Sequence, residues 1–369
     1  MSDLGHLALA QTHYLPIKHQ GDVHNGKVRS VFWLKNRDNV RLIQERNYPV
    51  HPKTQLGVMI TSDRLSAFDV IWHATQGLKG VPRKGASLNA VSNYWFQEFD
   101  KIGLAGNHIL EVPHPQVWIV QKADQVRVEA IARQYITGSM WRAYDKGERK
   151  FCGVTLPEGL QKNQRLDELL LTPTTKGTLT GIQGVPEQDD VNITREQIVN
   201  NWQAFGFKSL NDVPQYETLL KEGCALADKK LRAVGQTFVD TKFEVGYVRT
   251  DDGWKMVYID EVLTPDSSRF WDSERLTKGE VIENSKEGYR EFLLDNSRSG
   301  LETDVLLNKQ RFAKRQQMAK DYAVPSEEFM RVSETYVGMA EKITGQTLPP
   351  STNAREEMLD ALSEYGLVA

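Results

Sequence analysis

Acidic and basic side chains alternate along the segment VDTKFEV. Asp240, Lys242 and Glu244 fall on one side of an extended chain, and Val239, Thr241, Phe243 and Val245 on the other. The run continues through RTDDGW into KMVYIDEVL, a hairpin pattern with Asp251-Asp252-Gly253 as a three-residue loop. That loop pairs Thr250 with Trp254 and sets Glu244 opposite Asp260, with Cβ atoms about 5 Å apart. Two facing carboxylates repel unless they share a proton or a cation, and hard oxygen donors suit Mg2+. Lys242 beside them suits a phosphate. A two-residue Asp252-Gly253 loop would instead put Glu244 and Asp260 on opposite faces, because one residue of register flips every side chain. The plainer alternative is an amphipathic hairpin whose charged face meets water. Against it stands TPDSSR at the end of the second strand, where Ser267 and Arg269 add a hydroxyl and a guanidinium of the kind that bind phosphate.

Other segments carry the same chemistry. In GKVR, Lys27 and Arg29 lead into the strand-like SVFWL, and Gly26 permits close approach of the backbone, which suits a clamp on nucleotide phosphates; exposed strand-edge cations are the plainer reading. Along VRVEAIARQYITGS, Glu129, Ile131 and Arg133 share a strand face, and Ser139 is placed as N-cap of the helix that follows. A helix N-terminus beside Arg133 suits a phosphate monoester, although a plain cap beside an ion pair would look alike. Asp63 in SDRLSAFD sits at an expected strand end, and Lys176 in PTTKG on a loop. No GxxxxGK[ST] and no GxGxxG occurs, so ATP, if bound, is held neither by a P-loop nor by a Rossmann turn. The eight histidines show no paired metal spacing.

The elements that must position these residues form an α+β or α/β arrangement. Short β-like runs and one helix-like segment, SLNAVSNYWFQEF, make a first lobe over residues 1–116. Strand-like runs, the helix-like SMWRAYDKG and a helix from Arg195 to Phe205 make a second over 117–272. Residues 273–369 read as helical, with a break at Val324-Pro325. Of 369 residues, 40% are apolar and 26% charged, enough to bury a large core. The apolar runs are too short for a membrane span and the first residues carry no secretion signal. Two cysteines, Cys152 and Cys224, without CxxC spacing fit a reducing cytoplasm. A net charge of −3 argues against a surface built for nucleic acid, and the basic run NKQRFAKRQQMAK reads as the solvated face of a helix. Partners are therefore expected to be small molecules, with a homo-oligomer compatible but unspecified.

In order along the chain, GKVR, SDRLSAFD, KGASLNAVSNYWF, VEAIARQYITGS, PTTK, VDTKFEVG and IDEVLTPDSSRFW resemble the SAICAR synthetase family from about Gly26 to Trp271, and VSETYVGMAEKITG is similar to the tail of its longer members. The resemblance implies a two-lobed, ATP-grasp-like fold with additional C-terminal helices. It also implies a carbon–nitrogen ligase of purine biosynthesis that joins 4-carboxy-5-aminoimidazole ribonucleotide to L-aspartate through an acyl phosphate, with ATP as substrate and Mg2+ as cofactor. Position by position, it puts Lys27, Arg29, Glu129 and Lys242 at ATP and Glu244 and Asp260 on the metal. Arg133, Ser139, Ser267 and Arg269 then lie at the ribonucleotide, and Asp240 is a substrate-contacting acid. Asp63 and Lys176 correspond to groups near the imidazole and aspartate substrates. After PTTK the family has a short GHD-like segment, whereas this chain has TGIQGVPEQDDVNI, with Asp189 in place of histidine and Asp190 as the matching acid. Two other readings use the same residues: a small-molecule kinase, without the HRD and DFG signatures of protein kinases, and a catalytically silent nucleotide-binding module.

Overall fold

The computed structural model describes residues 3–351 and 353–369. Two antiparallel sheets carry the molecule. The first orders its strands His24–Asn25, Arg29–Trp33, Leu56–Thr61, Val117–Gln121 and Ile109–His114. Val117–Gln121, expected to open the second lobe, thus lies inside the first sheet, hydrogen bonded to Leu56–Thr61. The sheet places it between a strand sixty residues upstream and its own hairpin partner, an order that local pattern does not encode. The proposed junction between lobes moves from residue 116 to beyond Gln121.

The second sheet is built on one fifteen-residue strand, Gln236–Thr250, flanked by Val128–Tyr135 along one edge and Gly253–Ile259 along the other. On that other edge the partner changes: Gly253–Ile259 pairs with residues 244–250, and Ser268–Asp272 pairs with residues 236–241. Between them the chain leaves the sheet as the loop 260–267, opposite Lys242 and Phe243. One face of the long strand sends Phe243 and Val245 into the main core with Phe96, Phe99 and Tyr258. The other face presents Asp240, Lys242 and Glu244. The period-two reading holds for the charged face but not at Val239, where a bulge between Phe238 and Asp240 sends Phe238 into the main core and Val239 into a separate cluster with Tyr135 and Trp271. The charged face is not a solvated one, since Asp240 and Glu244 are buried.

The helix Lys84–Lys101 covers the main core, as does Asp212–Ala233, whose Val213, Tyr216, Leu220, Cys224, Ala227 and Leu231 recur at helical spacing on the buried side. The C-terminal region is helical, as expected, and is part of the body of the protein. Ser326–Thr344, starting after Pro325, sends Met339, Ala340 and Ile343 into the main core, and Ala354–Ser363 packs Met358 and Leu362 beneath the first sheet. The helix expected from Arg195 to Phe205 stops at Asn200, where turns take over. No helix among the described residues is long and apolar enough to cross a membrane.

Candidate active site

Between the two sheets lies a cleft of about 1090 Å³. Every candidate residue except Asp63 lines it: Lys27, Arg29, Glu129, Arg133, Ser139, Lys176, Asp190, Asp240, Lys242, Glu244, Asp260, Ser267 and Arg269.

The hairpin differs from its expected form. Its turn is the pair Asp251-Asp252, Thr250 pairs with Gly253, and Glu244 stands opposite Ile259 rather than Asp260. On register alone Asp260 would point away from Glu244. It reaches the cleft because the strand ends at Ile259 and Asp260 adopts a left-handed φ of 59°, which turns its side chain back. There it pairs with Arg29 Nη1 at 3.1 Å, while Arg29 Nη2 donates to Glu261 Oε2 at 3.0 Å. Burial pushes the Asp260 carboxyl up and Arg29 opposes this, with the nearby Glu244 and Glu261 charges adding to the rise. The two carboxylates thus feel each other, as expected, without being ladder partners.

Glu244 does not rely on a shared proton. It is 3% exposed. Its Oε1 accepts from Lys176 Nζ at 2.7 Å and Lys242 Nζ at 2.8 Å, and its Oε2 accepts from Gln125 at 2.7 Å. The same two ammonium groups donate to Glu129 Oε1, at 3.1 and 2.9 Å. Two lysines therefore alternate with two glutamates. Burial works against charge on Glu244, but Lys242 and Lys176 outweigh it and hold the carboxyl at about 2. Burial likewise works against charge on both lysines, yet Glu244 and Glu129 raise them, Lys242 well above its ordinary value. Both stay cationic across the neutral range, which makes them electrostatic groups rather than proton acceptors.

Four residues before Glu244 on the same strand, Asp240 Oδ2 accepts from Arg133 Nη1 at 3.1 Å and from Arg269 Nη1 at 2.5 Å. Arg133 also donates to Thr172 and, at 3.3 Å, to the Ser139 hydroxyl. Ser139 is not the N-cap; Thr137 is, and Ser139 is the second residue of the helix Gly138–Asp145. The hydrogen-bonded helix begins two residues earlier than expected, with Trp141 N–H donating to Thr137 O, and Gly138 makes the entry at a left-handed φ of 56°. A Cβ at Gly138 would meet Arg269 Nη2 at 2.6 Å, so glycine lets the guanidinium lie against the helix start. Two arginines, a hydroxyl and a helix N-terminus make a phosphate-sized cationic corner.

Asp63 stands apart. Its carboxylate is 2% exposed and accepts from the backbone N–H groups of Leu9 and Gly85, at 2.7 and 2.8 Å, and from Gln116 at 3.2 Å. It lies beside a separate cavity of about 670 Å³, lined by Ala10, His114 and Arg355 among others, and ties the N-terminal segment to the helix Lys84–Lys101. Lys27 is exposed and bonds to Asp69 at 2.5 Å. Asp190, at a left-handed φ of 54°, faces Lys309 at 3.8 Å, while Asp189 caps the Gly177 N–H at 2.7 Å.

Several cleft residues carry no sequence signal of their own. Lys286 and Arg290, one turn apart on the helix Lys286–Leu294, face the Arg269 side of the cleft. Burial brings the Lys286 ammonium down to about 8, with Asp266 opposing. The capped start at Ser285, followed by cations four residues apart, is the pattern that could have marked them. The basic run near Lys309 is largely exposed, as expected, with Arg315 and Ala319 as its buried residues. Lys309 lines the cleft, and the buried Arg315 donates to Phe68 O at 2.7 Å, bracing the Leu65–Trp72 hairpin. Among the described residues no group of three or more His, Cys, Asp or Glu side chains that could hold a metal ion occurs; Glu244 and Asp260 both line the cleft and are the two carboxylates that could hold a magnesium ion whose remaining ligands come from phosphate.

The fold is mixed α+β, with a charged cleft between its two sheets. The family model for SAICAR synthetase matches residues 44–304. Phosphoribosylaminoimidazole-succinocarboxamide synthase of Vibrio campbellii is 56% identical over 99% of both chains, and that of Shewanella oneidensis 56% identical over 98% of both. The fold is similar to that of SAICAR-synthase from Saccharomyces cerevisiae complexed with SAICAR, with a TM-score of 0.61 and 24% identity over 90% of this chain and 99% of that one. A type-2 SAICAR synthetase in complex with ADP gives a TM-score of 0.54 at 19% identity over 89% and 100%. The chain belongs to the SAICAR synthetase family, the carbon–nitrogen ligases named for that product.

Proposed function

We infer that the chain joins 4-carboxy-5-aminoimidazole ribonucleotide to L-aspartate with cleavage of ATP to ADP and phosphate, and that the cleft residues divide this work by position along the Gln236–Thr250 strand. The supporting observation is the charge layout. On one face of the strand the Lys242–Glu244 pair lies toward the Arg29–Asp260 pair, and Asp240, two residues before Lys242, pairs with Arg133 and Arg269.

A carboxylate resists amine attack because its oxygen is a poor leaving group. Here a carboxylate oxygen of the ribonucleotide attacks the γ-phosphorus and ADP departs; the aspartate amine then attacks the acyl carbon and phosphate leaves with that oxygen. Arg29 and Lys27 hold the ATP phosphates, with Val31, Trp33, Met59 and Val120 as the apolar end for the base. Lys242 and Lys176 keep a positive field where charge gathers on the transferred phosphoryl group. Glu244 and Asp260 would hold Mg2+, which when bound offsets phosphate charge. The cationic corner of Arg133, Ser139 and Arg269 takes the ribonucleotide phosphate, with Ser267 beside it, and Asp240 keeps the two guanidiniums in place. Glu129 orders both lysines. Asp190, with Lys309, is assigned to the amino-acid side. Holding three reactants in one cleft supplies much of the remaining acceleration. Both cysteines are free thiols, in keeping with a cytoplasmic setting.

The test is substrate dependence of ADP release. Sustained ADP formation requires both the carboxylated ribonucleotide and L-aspartate. A steady rate with aspartate omitted would favour a kinase, and ATP binding without any product would favour a silent module.

A further inference from the structure

The loop that carries Ser267 and Arg269 into the cleft is held from behind by residues to which the roles above give no part. Asp266 Oδ2 accepts from Lys84 Nζ at 2.9 Å, and Lys286 Nζ lies 3.4 Å from the same oxygen. Asp266 Oδ1 accepts from the Tyr336 hydroxyl at 2.5 Å. Lys84 is 0% exposed and its Nζ lies 5.5 Å from the centre of the Tyr336 ring. One carboxylate thus gathers three helices: Lys84–Lys101, Lys286–Leu294 and Ser326–Thr344. Burial alone would push the Asp266 carboxyl up; Lys286 and Lys84 dominate and hold it well below the usual carboxylate range.

The loop is short and internally tied, so Asp266 cannot move alone. Its N–H donates to Thr264 Oγ1 at 3.2 Å, the Ser267 N–H donates to the same hydroxyl at 3.3 Å, and the Ser268 N–H donates to Thr264 O at 2.9 Å. Lys242 N–H donates to Ser267 O at 3.2 Å, and Lys286 N–H to Pro265 O at 2.9 Å. A buried ion cluster of this kind is weak support for stability, because an apolar replacement of equal volume can serve as well. What it supplies is a fixed direction.

We propose that Tyr336 and Lys84 are positioning residues for the ribonucleotide subsite: through Asp266 they fix the loop that presents Ser267 and Arg269, which makes the helix Ser326–Thr344 part of the binding site. The inference rests on the assignment of Arg269 to the ribonucleotide.

Tyr336→Phe keeps the ring and removes one donor to a buried carboxylate. The KM for the ribonucleotide should rise on the order of tenfold, the effect of losing a hydrogen bond to a charged group. The KM values for ATP and aspartate should stay within about twofold, since the side chains of Arg29 and Lys242 are held by Asp260, Glu261, Glu129 and Glu244 rather than by Asp266. Glu334→Ala, on the exposed side of the same helix, should change none of them. An unchanged ribonucleotide KM in a Tyr336→Phe protein of lowered Tm would overturn the proposal and leave the cluster a purely structural one. If Tyr336→Phe does not fold, Asp266→Asn, equal in shape, should give the same selective rise; failure of both to fold would assign the cluster to folding and also overturn it. Arg269→Ala run in parallel separates the two claims. If it raises the ribonucleotide KM while Tyr336→Phe does not, only the positioning role is lost; if neither does, the Arg269 assignment itself fails.

Discussion

Replacing Glu244 by glutamine keeps the shape of the side chain and removes its charge. In the native protein this carboxyl is held at about 2 against an ordinary 4.5. A depression of that size corresponds to an upper bound of about 3 kcal/mol of stability at neutral pH. The net loss is smaller, about 1–2 kcal/mol, because Glu129 still accepts from both lysines, a glutamine oxygen can accept from one, and the ammonium groups are 31% and 27% exposed and can rehydrate. The sign with pH follows from a depressed folded value: the stabilisation is complete above the unfolded pKa and fades as pH falls through the folded one. The gap in stability between native protein and variant should therefore narrow from about pH 4.5 toward pH 2. Activity should suffer far more than stability. Losing a carboxylate proposed for the metal, and changing the field of Lys176 and Lys242, should lower kcat on the order of a thousandfold. Thermal unfolding followed by circular dichroism and coupled ADP release measure the two effects. A variant with kcat within about tenfold of native, or one as stable as native from pH 7 to 3, would refute this reasoning.

Asp260→Asn should also abolish turnover while leaving the fold intact, because the left-handed turn and the contact with Arg29 Nη1 tolerate the amide; full activity in ADP release would end the metal assignment. Asp63→Asn should leave every KM within about threefold and lower Tm by a few degrees, since the carboxylate ties backbone N–H groups and does not line the cleft; a selective rise in one KM would return it to the site. Lys286, brought down to about 8, is cationic below that pH and neutral above it, so binding of the anionic ribonucleotide should weaken as pH rises through 8. Lys286→Met should raise the ribonucleotide KM at neutral pH and flatten that alkaline rise, as steady-state kinetics across pH 6.5–9 would show.

What the sequence made legible follows from the range of the forces involved. Alternation along Asp240–Val245 is local and period two, so the shared face of Asp240, Lys242 and Glu244 could be read directly, whereas the bulge that displaces Val239 could not. The register could not, because Gly253 can serve equally as the last loop residue or the first strand residue, and here it is the latter. Asp260 still reached the cleft for a reason outside the pattern, a non-glycine residue with positive φ at a strand end. The cap assigned to Ser139 was two residues late because a glycine beside a cap can be read as loop or as first helical turn. Lys286 and Arg290 carry only the weak signal of a capped helix with cations four residues apart, and their place in the cleft depends on that helix folding back across the loop from Thr264 to Ser267. The helix Asp212–Ala233 was not foreseen although its sequence signal is local: Val213, Tyr216, Leu220, Cys224, Ala227 and Leu231 recur at helical spacing, and no charged residue is among its buried positions. The position of Val117–Gln121 is a matter of strand order, which no single segment carries.

The central claim is that this cleft activates a substrate carboxylate by phosphorylation before the amine attacks. Ribonucleotide labelled with 18O in its carboxylate, incubated with ATP and L-aspartate, tests this directly by mass spectrometry of the released phosphate. One labelled oxygen should appear in each phosphate formed, matched by one amide product. Unlabelled phosphate, or ribonucleotide phosphorylated on a hydroxyl and accumulating without amide, would contradict the account.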